Sequence, residues 1–362
     1  MPDQPALVGP VEIIGTGLLG TSVGLACRRA GLEVVLSDTS PGHVRTARGL
    51  GAGRKRLPAD RPQLVVVAVP PAQLGAVIVQ ALRDTEAYDA VVTDVGSVKS
   101  APLDEVAAAV PAQTLRRYVG GHPMAGSERS GPLAGTASLF DGRPWAVTPH
   151  PAADPAAVAL VEELAGLCGA VALRLDPEAH DRAVARTSHV PHLMSALVAA
   201  RLTSAPADHL ALSGQGVRDV TRVAAGDPAL YGQIVAGNAR AVTELLTEVR
   251  AQLETLIEAV SGGDGEALRA VLAEGVAGTQ AIPGKHGGPQ TPGASVFVSV
   301  PDHPGELARL FADAGESGVN IEDVHIDHDP GRPVGLVELL VAEDGAERLL
   351  TSLESRGWVT HR

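Results

Sequence analysis

Gly15-Thr16-Gly17-Leu18-Leu19-Gly20 follows the apolar run 11–14 and opens a helical pattern that extends through residue 30. A glycine-rich turn between a strand and a helix constrains the chain more than any other segment. In such a turn the first glycine permits the tight bend and the second lets the backbone approach a pyrophosphate. The third lets helix and strand pack closely, and the helix N-terminus attracts the anion. A bare G-x-G-x-x-G is a weak signal; with readable strand and helix on either side it is specific. Gly15, Gly17, Leu18 and Gly20 are therefore candidate cofactor-binding residues. Asp38 follows the next apolar run, where a carboxylate bonds the ribose 2′-hydroxyl of NAD and repels the phosphate of NADP. Arg45 lies too far beyond Asp38 to reverse that preference, so the expected cofactor is NAD.

The strand-helix alternation continues. Residues 11–14, 33–36, 64–69, 90–93, 115–119, 145–148 and 170–173 read as strands, and 18–30, 72–83 and 155–168 as helices. This predicts a doubly wound, mainly parallel sheet of Rossmann type over residues 1–175. From 176 to 281 strand-like runs vanish and Ala, Leu and Val recur at helical spacing, the longest helix expected over about 230–260. This all-α region carries more apolar surface than one such domain buries, which points to an interlocked homodimer. Residues 282–294 are a linker by composition, rich in glycine and proline. Residues 295–362 then follow the order β-α-β-β-α-β of a small ferredoxin-like α+β module.

The chain has 362 residues, enough for two or three domains, and a net charge of -13. That charge argues against nucleic acid and anionic membranes as main partners. No apolar run reaches the roughly 18 residues of a membrane span, and no leader is recognisable. Cys27 and Cys168 sit far apart in apolar helical contexts, as buried thiols of a reducing compartment do. The protein reads as soluble and cytoplasmic.

Two further loops carry chemistry. Thr93-Asp94-Val95-Gly96-Ser97-Val98-Lys99 follows the fourth strand, at the edge of the sheet where ligands bind. Gly121-His122-Pro123-Met124-Ala125-Gly126-Ser127-Glu128 places a histidine among glycines and a proline, which reads as a shaped loop after the strand 115–119. An imidazole titrates near neutral pH and can take a proton from a substrate and release it later. Ser97 is placed to orient His122 and to approach the nicotinamide edge. It also suits the N-cap of the helix that starts there. Lys99 reads either as a cation near the site or as a solvated first-turn lysine.

These three loops together resemble the prephenate dehydrogenase family, including its arogenate-using members. The resemblance continues through Ser188-His189-Val190-Pro191-His192-Leu193 and Arg218-Asp219-Val220-Thr221-Arg222-Val223-Ala224, then Pro228, Tyr231 and Asn238. The family more often carries tryptophan where Tyr231 stands. The resemblance covers about residues 11–280. It implies NAD-dependent oxidative decarboxylation of prephenate to 4-hydroxyphenylpyruvate, or of arogenate to tyrosine. In that reaction His122 would be the base, and Arg222 would clamp a substrate carboxylate with its planar guanidinium. Asp219 would pair with His189 and hold it toward the substrate, and Lys99 would add positive charge for a dianionic substrate. His192 reads as core or interface packing. The sequence suggests no third ligand that would make a metal site with His189 and His192.

Asp302-His303-Pro304-Gly305-Glu306-Leu307 and Val319-Asn320-Ile321 resemble the signature of the ACT domain, an amino-acid-sensing regulatory unit. An aromatic amino acid, tyrosine first, is the effector this implies. Two other readings compete. A β-hydroxyacid dehydrogenase shares the sheet-then-helices layout, but it needs a lysine in the helical region, and none lies between Lys99 and Lys285. A non-catalytic NAD-binding sensor would leave Ser97, His122 and Arg222 without a purpose.

Overall fold

The computed structural model describes residues 6–126, 130–283, 293–328 and 334–362. Ser127 and Glu128 of the histidine motif, and most of the linker, lie outside the described residues. The chain divides into two compact units, Met1–Arg250 and Ala251–Arg362.

The first unit is built on an eight-stranded sheet. Its strands are β1 (Val11–Ile14), β2 (Val34–Ser37), β3 (Arg54–Lys55), β4 (Leu64–Val67), β5 (Val91–Asp94), β6 (Tyr118–Pro123), β7 (Pro144–Thr148) and β8 (Val171–Arg174). Their order is β3-β2-β1-β4-β5-β6-β7-β8. β1 to β6 run parallel, β7 turns antiparallel to β6, and β8 follows β7 in parallel. Leu64, Val65, Val66 and Val67 of β4 are all buried, the continuous apolar run of a strand covered on both faces. The order reverses between β1 and β4, which opens the ligand crevice at the carboxyl ends of those strands.

One element differs from expectation in a way that matters. Residues 112–115 form a short helix and the strand begins only at Tyr118, so His122 lies on β6 and not in a loop. The neighbouring glycines serve close packing. A Cβ on Gly120 would stand 2.5 Å from Thr148 Oγ1, and one on Gly121 would stand 2.7 Å from the Asp94 carbonyl oxygen. Small residues that look like a turn therefore mark a strand squeezed between its neighbours.

The helical region begins with Pro177–Val184, passes through a π-helical turn (Ala185–His189) and continues as Val190–Ala200. The long helix expected over 230–260 is two helices, Pro228–Gly237 and Ala239–Gly262, broken at Asn238. Asn238 leaves the helical conformation with φ -116° and ψ 30°, and its side chain turns into the buried site described below. Asp227 caps the first of the two by accepting from the Ala229 amide.

The second unit contains the helix Gly265–Gln280 and a four-stranded antiparallel sheet. The sheet comprises β9 (Gly293–Pro301), β10 (Ile321–His328), β11 (Val334–Ala342) and β12 (Val359–His361), ordered β10-β11-β9-β12. Helices Glu306–Glu316 and Glu343–Ser355 complete the β-α-β-β-α-β order. Val296, Val298 and Val300 alternate inward on β9 and meet Leu310, Leu349, Leu353 and Trp358 in one core. Among the described residues no helix is long and apolar enough to cross a membrane.

Candidate active site

The glycine loop has the shape its spacing implies. Gly15 adopts φ +96°, and a Cβ there would collide with the Ala68 carbonyl. A Cβ on Gly20 would collide with the Gly15 carbonyl oxygen, so this position holds helix against turn. At Gly17 nothing stands within 4 Å of where a Cβ would be, which leaves the backbone open to a ligand. Gly17 caps the helix Leu18–Arg29 without any side-chain hydrogen bond, so the first amides of that helix, Leu18 among them, have no capping side chain to satisfy them. Open backbone, free amide donors and a helix N-terminus fit a pyrophosphate, and the loop is suited to NAD.

Asp38 closes the loop from the end of β2. Its Oδ2 accepts from the Thr16 amide at 2.6 Å and from Thr16 Oγ1 at 2.9 Å, and its Oδ1 accepts from the Ser40 amide at 2.7 Å. Partial burial pushes its pKa up, but these donors outweigh it and hold the carboxyl below its usual range. Asp38 is thus an ionised group beside the loop, and it also fixes Thr16.

His122 is the penultimate residue of β6, at the same carboxyl-end edge of the sheet as the glycine loop after β1. It is 9% exposed. Its Nδ1 lies 2.9 Å from His180 Nε2, and His180 Nδ1 lies 2.9 Å from Asp181 Oδ1. Asp181 accepts in turn from the backbone amides of Lys99 and Ser100, each at 2.9 Å. Asn238 Nδ2 donates to the Asp181 carbonyl at 2.7 Å and lies 3.2 Å from His189 Nδ1. Burial, reinforced by His180, Lys99 and His189, holds His122 well below the ordinary histidine pKa. Burial also pushes His189 down to about 4. Asp181 stays below the usual carboxyl range: burial raises its pKa, and His180 with the two backbone amides overcomes that. The site thus holds two neutral imidazoles, His122 and His189, and one buried carboxylate.

Several expected pairings are replaced. Ser97 does not orient His122; His180, far along the chain, takes that position on Nδ1. Nor is Ser97 the N-cap: the helix runs Ser100–Ala109 with Lys99 before it. Lys99 is neither solvated nor free to hold substrate. It is 1% exposed, and its ammonium donates to the Asp94 carboxylate and, at 2.6 Å, to the Gly121 carbonyl. Its charge is spent behind the strand that carries His122. Asp219 accepts from Gln215 Nε2 at 2.8 Å and not from His189, whose partner is Asn238. Arg222 opens the short turn Arg222–Ala225, which packs against Val190–Ala200, and its side chain is exposed. His192 is buried and stacks on Tyr231 with ring centroids 3.4 Å apart.

His180 and Asp181 escaped the sequence reading. The one local signal was an adjacent His-Asp pair in a helix opened by Pro177, and neither spacing nor composition connects it to His122.

Two family models match the chain. One describes the nucleotide-binding domain of prephenate dehydrogenase and covers residues 23–174; the other describes its dimerization domain and covers residues 176–274. The chain belongs to the prephenate dehydrogenase family. With that membership it is an NAD-dependent oxidoreductase. The probable prephenate dehydrogenase NovF of Streptomyces niveus is 40% identical over 357 residues, 96% of this chain and 98% of that one. The prephenate dehydrogenase of A. aeolicus, solved in complex with hydroxyphenyl propionate and NAD+, superposes with TM-score 0.66 at 27% identity, covering 74% of this chain and 96% of that one. The arogenate dehydrogenase of Synechocystis gives TM-score 0.63 at 26% identity over 74% and 98%. The solved structures similar to this chain thus include enzymes named for either substrate.

Proposed function

We propose that this protein converts prephenate to 4-hydroxyphenylpyruvate and CO2, with His122 as the base. The observation that carries this reading is the position of His122: a buried, neutral imidazole at the edge of the sheet where the glycine loop receives a dinucleotide. NAD, when bound, supplies the hydride acceptor. His122 takes the proton of the ring hydroxyl as the hydride leaves the same carbon. Loss of CO2 from the opposite carbon delivers the electron pair that makes the ring aromatic, and the proton returns to the phenol. Ser97, in the loop that follows β5, is the residue assigned in this reading to the nicotinamide. Neutral His189, held by Asn238, offers a hydrogen bond to the substrate without adding charge. Asp38 selects NAD over NADP.

Arg222 is the carboxylate clamp of this reading, exposed and free of the buried network. Arg222→Ala is expected to raise KM for the substrate far more than it lowers kcat, since a clamp acts in ground and transition states alike. A fall confined to kcat would move Arg222 into the chemical step. The reading as a whole is tested by NADH formation with prephenate and with arogenate, each with NAD and with NADP. Prephenate with NAD is expected to turn over fastest; arogenate winning would reassign the substrate.

The ferredoxin-like unit is proposed to be an ACT domain that binds tyrosine. Its turn at Asp302–Leu307 places Gly305 at φ +97° immediately before the helix Glu306–Glu316. The helices Ala239–Gly262 and Gly265–Gln280 expose Leu253, Ile257, Val260, Leu272 and Val276, apolar side chains that a second copy of the chain would cover. On the full-length protein, sedimentation is expected to report two copies and calorimetry to report heat with tyrosine. A monomer removes the dimer, and no heat with tyrosine, phenylalanine or tryptophan removes the effector.

A further inference from the structure

The three groups behind His122 form a chain in which each hydrogen bond dictates the next. It begins at the first turn of the helix Ser100–Ala109. There the amides of Lys99 and Ser100 donate to the two different oxygens of Asp181. A carboxyl that accepts from two backbone amides on two oxygens has no favourable place for a proton and is ionised. Its Oδ1 also meets His180 Nδ1 at 2.9 Å. An ionised carboxylate only accepts, so the hydrogen of that bond sits on His180 Nδ1. A neutral imidazole carries one N–H, which makes His180 Nε2 an acceptor. That atom faces His122 Nδ1 at 2.9 Å, so His122 donates from Nδ1 and its Nε2 keeps a bare lone pair.

We infer that Asp181 and His180 are positioning residues that lock His122 in the Nδ1–H tautomer, leaving Nε2 as the proton-accepting atom. This inference rests on the reading of His122 as the base. The opposite assignment needs a doubly protonated His180 or a protonated Asp181. Asp181 already accepts from two backbone amides, the Lys99 ammonium lies behind β6 on the Gly121 carbonyl, and Asn238 joins the Asp181 carbonyl to His189. His180 is 1% exposed, so water offers it no alternative partner. When His122 accepts the proton, its Nδ1–H bond to His180 strengthens, and the Asp181 carboxylate supplies the balancing charge through one intervening ring. The loop 94–99 thus serves His122 through backbone amides at the start of its helix, by way of Asp181.

Two measurements test this. Nitrogen NMR of the histidine-labelled, unliganded protein, with resonances assigned from His122→Asn and His180→Gln, is expected to show hydrogen on Nδ1 of both rings and none on Nε2 of His122. His122 found with hydrogen on Nε2 would overturn the inference. In steady-state assays Asp181→Asn and His180→Phe are expected to lower kcat by about 100-fold or more, as wrong-tautomer variants do, while KM for NAD changes by less than about 3-fold. His180→Gln, whose side-chain carbonyl still accepts from His122 Nδ1, is expected to keep kcat within about 10-fold of the parent. A merely structural His180 would fail in Gln and Phe variants alike, and that pattern in folded, NADH-binding proteins contradicts the inference. So does an Asp181→Asn variant with parental kcat. If the parent protein oxidises neither prephenate nor arogenate, the functional reading falls, and the NMR result still decides the tautomer. If the parent turns over and His122→Asn does not, parental activity in Asp181→Asn sinks the positioning role alone.

Discussion

His122→Asn is expected to bind NADH as tightly as the parent protein and to turn over about 100-fold more slowly or worse, the contribution of a positioned general base. The substitution is conservative in shape. An asparagine amide can reproduce the Nδ1–H donor that faces His180, so the fold and the buried network survive. What it lacks is an atom that takes a proton near neutral pH. The same environment predicts the pH profile of the parent. Burial, with His180, Lys99 and His189 nearby, disfavours the imidazolium, so His122 stays an available base as pH falls through the ordinary histidine value of about 6.5. The acid limb of kcat/KM is therefore expected below that pH. Steady-state kinetics with NADH binding by fluorescence checks both. An His122→Asn variant with more than about a tenth of the parental rate would remove this residue from the chemistry.

Lys99→Met is expected to destabilise the first unit by about 3–5 kcal/mol, the cost of leaving a buried charge without its partner. The Asp94 side chain is fully buried and would keep only the Tyr118 hydroxyl at 2.8 Å and the Gly96 amide at 2.7 Å as donors. The Gly121 carbonyl would lose its donor as well, directly beside His122. For a unit of this size such a loss lowers Tm by about 10 °C. Thermal unfolding within about 2 °C of the parent would show that the pair contributes little. If Lys99 held substrate, its removal would raise KM and leave Tm unchanged, so the two roles separate cleanly.

The parts of the site that the sequence discloses are those in which cause and effect lie close along the chain. Gly15, Gly17 and Gly20 announce themselves because a phosphate-binding turn demands glycine at fixed offsets, and Asp38 follows from the length of one β-α-β unit. The buried strands announce themselves through unbroken valine runs. What is not legible depends on tertiary neighbours. Gly120 and Gly121 look like turn residues, yet they are small because Thr148 and the Asp94 carbonyl press against β6. Ser97 is near His122 in the order of motifs, but the imidazole partner comes from a helix after the sheet is complete. Lys99 reads as a surface cation until Asp94 and Gly121 are seen to enclose it. The break at Asn238 is marked in the sequence only by Gly237 before it, and nothing local connects it to the cluster around Asp181 that its amide reaches.

The most direct test of the account is a coupled product analysis of the purified full-length protein given prephenate and NAD. One NADH, one CO2 and one 4-hydroxyphenylpyruvate are expected per prephenate consumed, with the rate lowered about 100-fold or more in His122→Asn. NADH without CO2, or no NADH from prephenate while His122 is intact, would contradict it.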